Sequence, residues 1–446
     1  MTTLYGTLLQ SPSPTQCTVT PDAAVTIASD GRIAEVASQD QGNLLPSSSQ
    51  DRGNLLPSSS QDQGNLLPSD VFGGPGCWIL PGFIDAHLHL PQWDRRGIDG
   101  LSLFDWLSKV AYPAEARFAD AAFAERLAED FVTGMIANGT TTVAGYGSPF
   151  AESTDRVFRV FERRGYRAIY GMVLNDVDCP TSHCQETDKV LDESRSLAAK
   201  WHNAADGRLK YAFSPRTPIH CSEKLMRGAA ALADMLNCYI QTHVAESIAG
   251  VQKVRERFPD QLDEIELFDE MGLLTPRTLL GHGVYLNHQQ RAQIAKRRTV
   301  VIHCPTANLF LESGLMDYCA LRAANVRVAL GSGIAGGPEP FMPRVAVDML
   351  NTAKAVKVHG LPRGTQPAPK PAEAWWALTR GAAESIGLAD RIGSIQPGFE
   401  ADCLVVKPEP WIADLPVEQQ ISTLLYTLRP NQIQHVFIAG KRVGPT

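Results

Sequence analysis

Four histidines carry the chemistry of this chain. His87 and His89 form a His-x-His pair at the end of an apolar run, ILPGFIDAHLHL. In an extended strand, residues i and i+2 face the same side, so both imidazoles can reach one ion. The run is apolar enough to be buried, and buried polar side chains need partners, of which a metal ion is one. His243 in IQTHVAES and His282 in LLGHGVYL also end strand-like runs. Either alone reads as a core histidine with a satisfied ring. Together the four fall at C-terminal strand ends, where barrel enzymes place their sites. That joint placement points to a metal centre, and imidazole donors suit zinc, with iron as the alternative. Glu246 follows His243 by three residues and could move protons between water and a substrate. Arg216, in YAFSPRT, and Gln92, three residues past the pair, offer a rigid fork of donors and a donor–acceptor amide. Both suit a planar heterocycle with carbonyl and ring nitrogens. His303, in VIHCPTAN, reads as structural or supporting, and the other six histidines receive no role.

The elements needed to position these side chains are legible as a succession. Eight apolar strand candidates follow one another: CWILPGFIDAHLH, TTVAGYG, RAIYGMVLN, LKYAFSPRT, CYIQTHVAE, TLLGHGVYL, VVIHCPTAN and VRVALGSGIAG. Amphipathic stretches separate most of them. In AAFAERLAEDFVTGMIANG, for example, Phe123, Leu127, Phe131 and Met135 recur every four residues. Strands alternating with helices indicate a parallel sheet, and eight units indicate a closed (β/α)8 barrel of the α/β class over residues 76–394. The end segments 1–75 and 395–446 carry short strands and turn residues instead. They are expected to form a small β-sandwich domain built from both termini. Within the first, three near-identical units begin at Gln39, Gln50 and Gln61. Their Gly, Pro and Ser content breaks helices, so 39–69 is expected to be a flexible insertion expanded by duplication.

Composition excludes several classes. The chain has 446 residues, 44% hydrophobic and 20% charged, with a net charge of −7. No basic block suggests a nucleic-acid surface. No apolar segment is long enough to span a bilayer, and the N-terminus lacks the pattern of a secretory signal. Nine scattered cysteines without close pairs suggest reduced thiols and a cytoplasmic protein. A homodimer is expected.

The chain resembles the amidohydrolase superfamily, and within it the guanine deaminase family. The resemblance rests on PGFIDAHLHLPQWDRRGID, LFDWLSKVAYPAEARF, SPRTPIHCSEKLM, IQTHVAES, GHGVYL and HCPTANLFLESG. It implies that His87, His89 and His243 bind zinc and that Glu246 shuttles a proton to the ring. His282 would assist the attacking water, and Gln92 and Arg216 would hold a purine. The implied reaction is guanine plus water to xanthine plus ammonia, a step of purine breakdown. The same resemblance implies an eighth-strand motif like GTDVAGG, whose aspartate binds zinc and takes the proton from its water. This chain has GSGIAGG, with Gly333 at the aspartate's place. Glycine offers neither ligand nor base. Two other expectations therefore stand beside an impaired guanine deaminase: an enzyme of this fold recruited to another heterocycle, or a non-catalytic protein that binds a purine-like ligand.

Overall fold

A computed structural model describes residues 1–38, 70–359 and 367–444, so the repeats at 39–69 lie outside the described residues. Two sheets organise the chain. The first is built from both ends: β1 (Thr2–Ser13), β2 (Gln16–Ile27), β3 (Ile33–Ala37) and β4 (Asp70–Pro81), then β14 (Cys403–Val406), β15 (Ile433–Ile438) and β16 (Lys441–Val443). Their spatial order is β16-β15-β14-β4-β1-β2-β3, which seats C-terminal β14 directly against β4. Leu4, Val25, Ile79, Cys403 and Phe437 pack on one face of this sheet.

The second sheet is a parallel barrel. It runs through β5 (Phe83–His89), β6 (Thr140–Tyr146), β7 (Arg167–Gly171), β9 (Leu209–Pro215), β10 (Tyr239–Val244), β11 (Thr278–His282), β12 (Val300–His303) and β13 (Arg327–Leu330), with the short β8 (Val173–Leu174) beside β9. These strands are almost wholly buried on both faces, which explains their continuous rather than alternating apolar pattern. Each of the eight strand candidates supplies one barrel strand. The first also crosses a boundary: the run from Cys77 to His89 is the end of β4, a break at Gly82, then β5. A buried run reads the same in either sheet, so sequence pattern alone does not mark such a break.

The barrel ring closes through the residues just after β13. Gly333 N donates to His87 O at 2.9 Å, and Ser332 N donates to the Asp85 carboxylate at 2.9 Å. The helix Ala121–Ala137 covers β6 as its periodicity predicts, burying Leu127, Phe131 and Met135. Asp120 caps it by accepting from the backbone N–H groups of Ala122 and Phe123. Among the described residues, no helix is long and apolar enough to cross a membrane.

Candidate metal centre and active site

One recess at the C-terminal mouth of the barrel gathers every site residue expected from sequence. His87, His89, Gln92, Arg216, His243, Glu246 and His282 all line it, together with Gly333. Its cavity volume is about 50 Å³. Leu103, Trp106 and Leu107 form its apolar wall.

The histidines converge because their strands are neighbours in register. His243 on β10 lies opposite Gly281 on β11, and Val244 lies opposite His282. A Cβ at position 281 would meet the His87 ring at 2.5 Å, so glycine there is what lets that ring occupy the barrel axis. Nε2 of His89 and Nε2 of His243 stand 3.0 Å apart. Nδ1 of His243 is engaged by the carbonyl of Arg216 at 2.8 Å, which leaves Nε2 facing inward. His87 Nε2 is buried without a hydrogen-bond partner. A ligand atom from each of His87, His89 and His243 lies within 4.8 Å of the others. Burial, reinforced by neighbouring histidines, holds all three rings well below the usual imidazole range. They are therefore neutral, the form that binds metal. An orphaned ring nitrogen beside two converging ones fits a bound cation.

His282 and Glu246 form the adjoining wall. His282 sits at φ +70, where β11 breaks into its loop, and its Nδ1 is 2.8 Å from Asn308 Oδ1. Its Nε2 is 3.5 Å from the Glu246 carboxylate. Burial pushes the Glu246 carboxyl above its ordinary range, and His282 and Arg216 pull the other way. A carboxyl poised in this manner is suited to exchange protons with a ligand.

Arg216 and Gln92 are held by a residue to which sequence reasoning gave no role. Glu115 is fully buried and binds Arg216 through two bonds, at 2.7 and 2.8 Å. Its Oε1 also accepts from Gln92 Nε2 at 2.8 Å. Gln92 Oε1 in turn accepts from Ala335 N at 3.3 Å, so the amide orientation is set at both ends. Despite burial, Arg216 and His183 draw the Glu115 carboxyl down to about 2. Three further residues escaped notice. Asp85 fastens the loop after β13 to β5, and Glu264 accepts from Ala245 N at 2.9 Å, bracing the turn that carries Glu246. The buried indole N–H of Trp106 lines the recess without a partner. The signal for Glu115 was a lone acidic residue in the otherwise apolar run VAYPAEA; Glu264, one of five acidic residues in DEIELFDE, carried none. His303 lies outside the recess, buried on β12.

Gly333 is the departure. Its φ is +66, and a Cβ built there would stand 2.4 Å from Ala307 Cβ. The short helix Pro305–Phe310 has thus packed into the space a side chain would need. Glu339, the next acidic residue along that loop, accepts from Phe341 N at 2.8 Å and does not line the recess.

Comparison with known proteins places this geometry. The chain is 32% identical over 331 residues to a probable guanine deaminase of Deinococcus radiodurans, an alignment covering 74% of each chain. It is 30% identical over 335 residues to the guanine deaminase of Escherichia coli strain K12, covering 75% of this chain and 74% of that one. Its fold is similar to that of a C. acetobutylicum guanine deaminase solved with bound guanine, with TM-score 0.87, 23% identity and 99% of each chain covered. A zinc-bound adenosine deaminase from Xanthomonas campestris aligns with TM-score 0.82 at 27% identity, over 99% of this chain and 92% of that one. Residues 78–443 match the model of the Amidohydrolase family, and the chain belongs to that family.

Proposed function

We propose that this chain is a metal-dependent aminohydrolase of guanine deaminase type, converting guanine and water to xanthine and ammonia. One observation carries the reading: a buried three-histidine cluster, Glu246, His282, Arg216 and Gln92 line one small recess. The relatives named guanine deaminase support the choice of substrate.

His87, His89 and His243 would hold the metal, zinc before iron. Bound there, it supplies Lewis acidity and lowers the pKa of water. Arg216 donates to the carbonyl side of the purine, and Gln92 contributes one donor and one acceptor. The Leu103–Leu107 wall covers the ring face. Glu246 delivers a proton to a ring nitrogen, which makes the amino-bearing carbon electrophilic, and His282 orients the attacking water. The protons that leave the water end on the ring and on the departing ammonia. With no carboxylate at position 333, Glu246 is, among the described residues, the one carboxylate lining the recess that can carry both transfers. Loss of a general base costs about 10²–10⁴ in rate, so turnover is slow.

A second reading has its own support. The close packing of Ala307 against Gly333 supports a site shaped around the glycine, as in a family member turned to another heterocycle. The two readings separate by measuring ammonia release from guanine alongside metal content, in this chain and in Gly333→Asp combined with Ala307→Gly. The second substitution relieves the 2.4 Å contact, and aspartate tolerates positive φ better than most residues. The first reading expects measurable turnover by this chain and a rise of at least about 100-fold in the double variant. A metal-loaded double variant with flat turnover would replace it with the second.

A further inference from the structure

The space beside Gly333 contains another potential ligand. Cys304 directly follows β12 and is fully buried. A Cβ built on Gly333 would lie 3.5 Å from Cys304 Cβ, so this residue packs beside the position the resemblance assigns to a carboxylate. One ligand atom from each of His87, His282 and Cys304 falls within 4.8 Å of the other two. This set overlaps the three-histidine set at His87. One fact points to a ligand: among the described residues, His87 Nε2 is buried with no hydrogen-bond partner. The thiol itself bonds Ile302 O at 3.7 Å. Among the described residues, no carboxylate joins either set.

We propose that His87, His282 and Cys304 form a sulfur-containing metal position contiguous with the three-histidine cluster. It draws a thiophilic divalent ion toward the side of the site where the carboxylate is missing. Neutral imidazoles leave the full double charge of such an ion uncompensated in a buried site, and one anionic ligand halves it. Cys304 can supply that anion. On metal binding its S–H bond breaks, the proton passes to solvent and a sulfur–metal bond forms. Thiolate with imidazole is a preferred donor set for zinc. His282, already tied to Asn308, would then be shared between holding the ion and facing Glu246.

The proposal rests on the metal-hydrolase reading for the presence of an ion, and the test separates the two. The full chain is stripped by chelation and reloaded with one equivalent of zinc, and X-ray absorption reads the donor atoms. One sulfur neighbour at about 2.3 Å is expected. Cobalt loading should give a thiolate charge-transfer band in the near ultraviolet. Both signals should vanish in Cys304→Ser and Cys304→Ala, with zinc affinity falling at least about tenfold. The wild-type absorption spectrum needs no variant to fold. Zinc surrounded by nitrogen and oxygen alone, or a sulfur signal that survives both substitutions, overturns the proposal and leaves the three-histidine reading standing. A chain that takes up no zinc or cobalt overturns both.

Discussion

Glu115 shows how far a single side chain can determine the site without facing a ligand. Both of its oxygens are committed, to Arg216 and to Gln92, so the two groups assigned to the purine stand where Glu115 puts them. Glu115→Gln keeps the shape and removes the charge, leaving the buried guanidinium of Arg216 without its counter-ion. Breaking such a pair costs about 3 kcal/mol or more. The sign with pH follows from a folded-state value near 2 against an ordinary 4.5. A lowered carboxyl stabilises above its unfolded value and loses that contribution as pH falls through the folded one. The variant should therefore be less stable at pH 7, with the gap to wild type closing toward pH 2 in denaturation curves. In guanine turnover, KM should rise more than kcat falls. Equal stability at pH 7 would show that Arg216 is solvated some other way.

At the scale of elements, the turn after β10 depends on Glu264. This residue begins the helix Glu264–Glu270, and its carboxylate accepts from Ala245 N. Ala245 sits at φ +44, so the strand end that delivers Glu246 is held in an uncommon conformation by a side chain from the next helix. Burial, with Asp263 and Glu246 adding to it, pushes the Glu264 carboxyl up to about 8. A raised carboxyl favours the folded state below its unfolded value, and that advantage is lost as pH rises through 8. Glu264→Gln retains an acceptor and cannot ionise. It should match wild type at pH 5 and exceed it by about 1 kcal/mol or more near pH 8. A constant difference between the two proteins across that range would count against a buried, titrating Glu264.

Across the whole molecule, the barrel and the terminal sheet are joined by a buried ion cluster. Arg167, at the start of β7, reaches Glu400 at 2.7 Å and Asp402 at 3.0 Å, and Arg391 also binds Glu400. Asp402 lies immediately before β14, so these bonds fasten the C-terminal strands under the barrel opposite the recess. Arg167→Ala leaves two carboxylates with their main partner gone, a change expected to cost about 3–5 kcal/mol. Chemical denaturation would measure it, and a loss under about 1 kcal/mol would show that Arg391 and water suffice.

The sequence by itself determined the barrel, since eight buried strands leave eight apolar runs, and it determined which histidines end them. A fixed spacing of two places His87 and His89 on one face whatever surrounds them. Tertiary structure decided what spacing cannot carry. Glu115 is 23 residues from Gln92 and 101 from Arg216, so only the folded chain makes them one cluster. The break at Gly82 was invisible because the end of one sheet and the start of the other are equally apolar. At position 333 the letter shows a glycine where the resemblance implies a carboxylate. That Ala307 and Cys304 stand against the glycine is a consequence of how the helix after β12 packs on the loop after β13, and packing of that kind is not written in either segment alone.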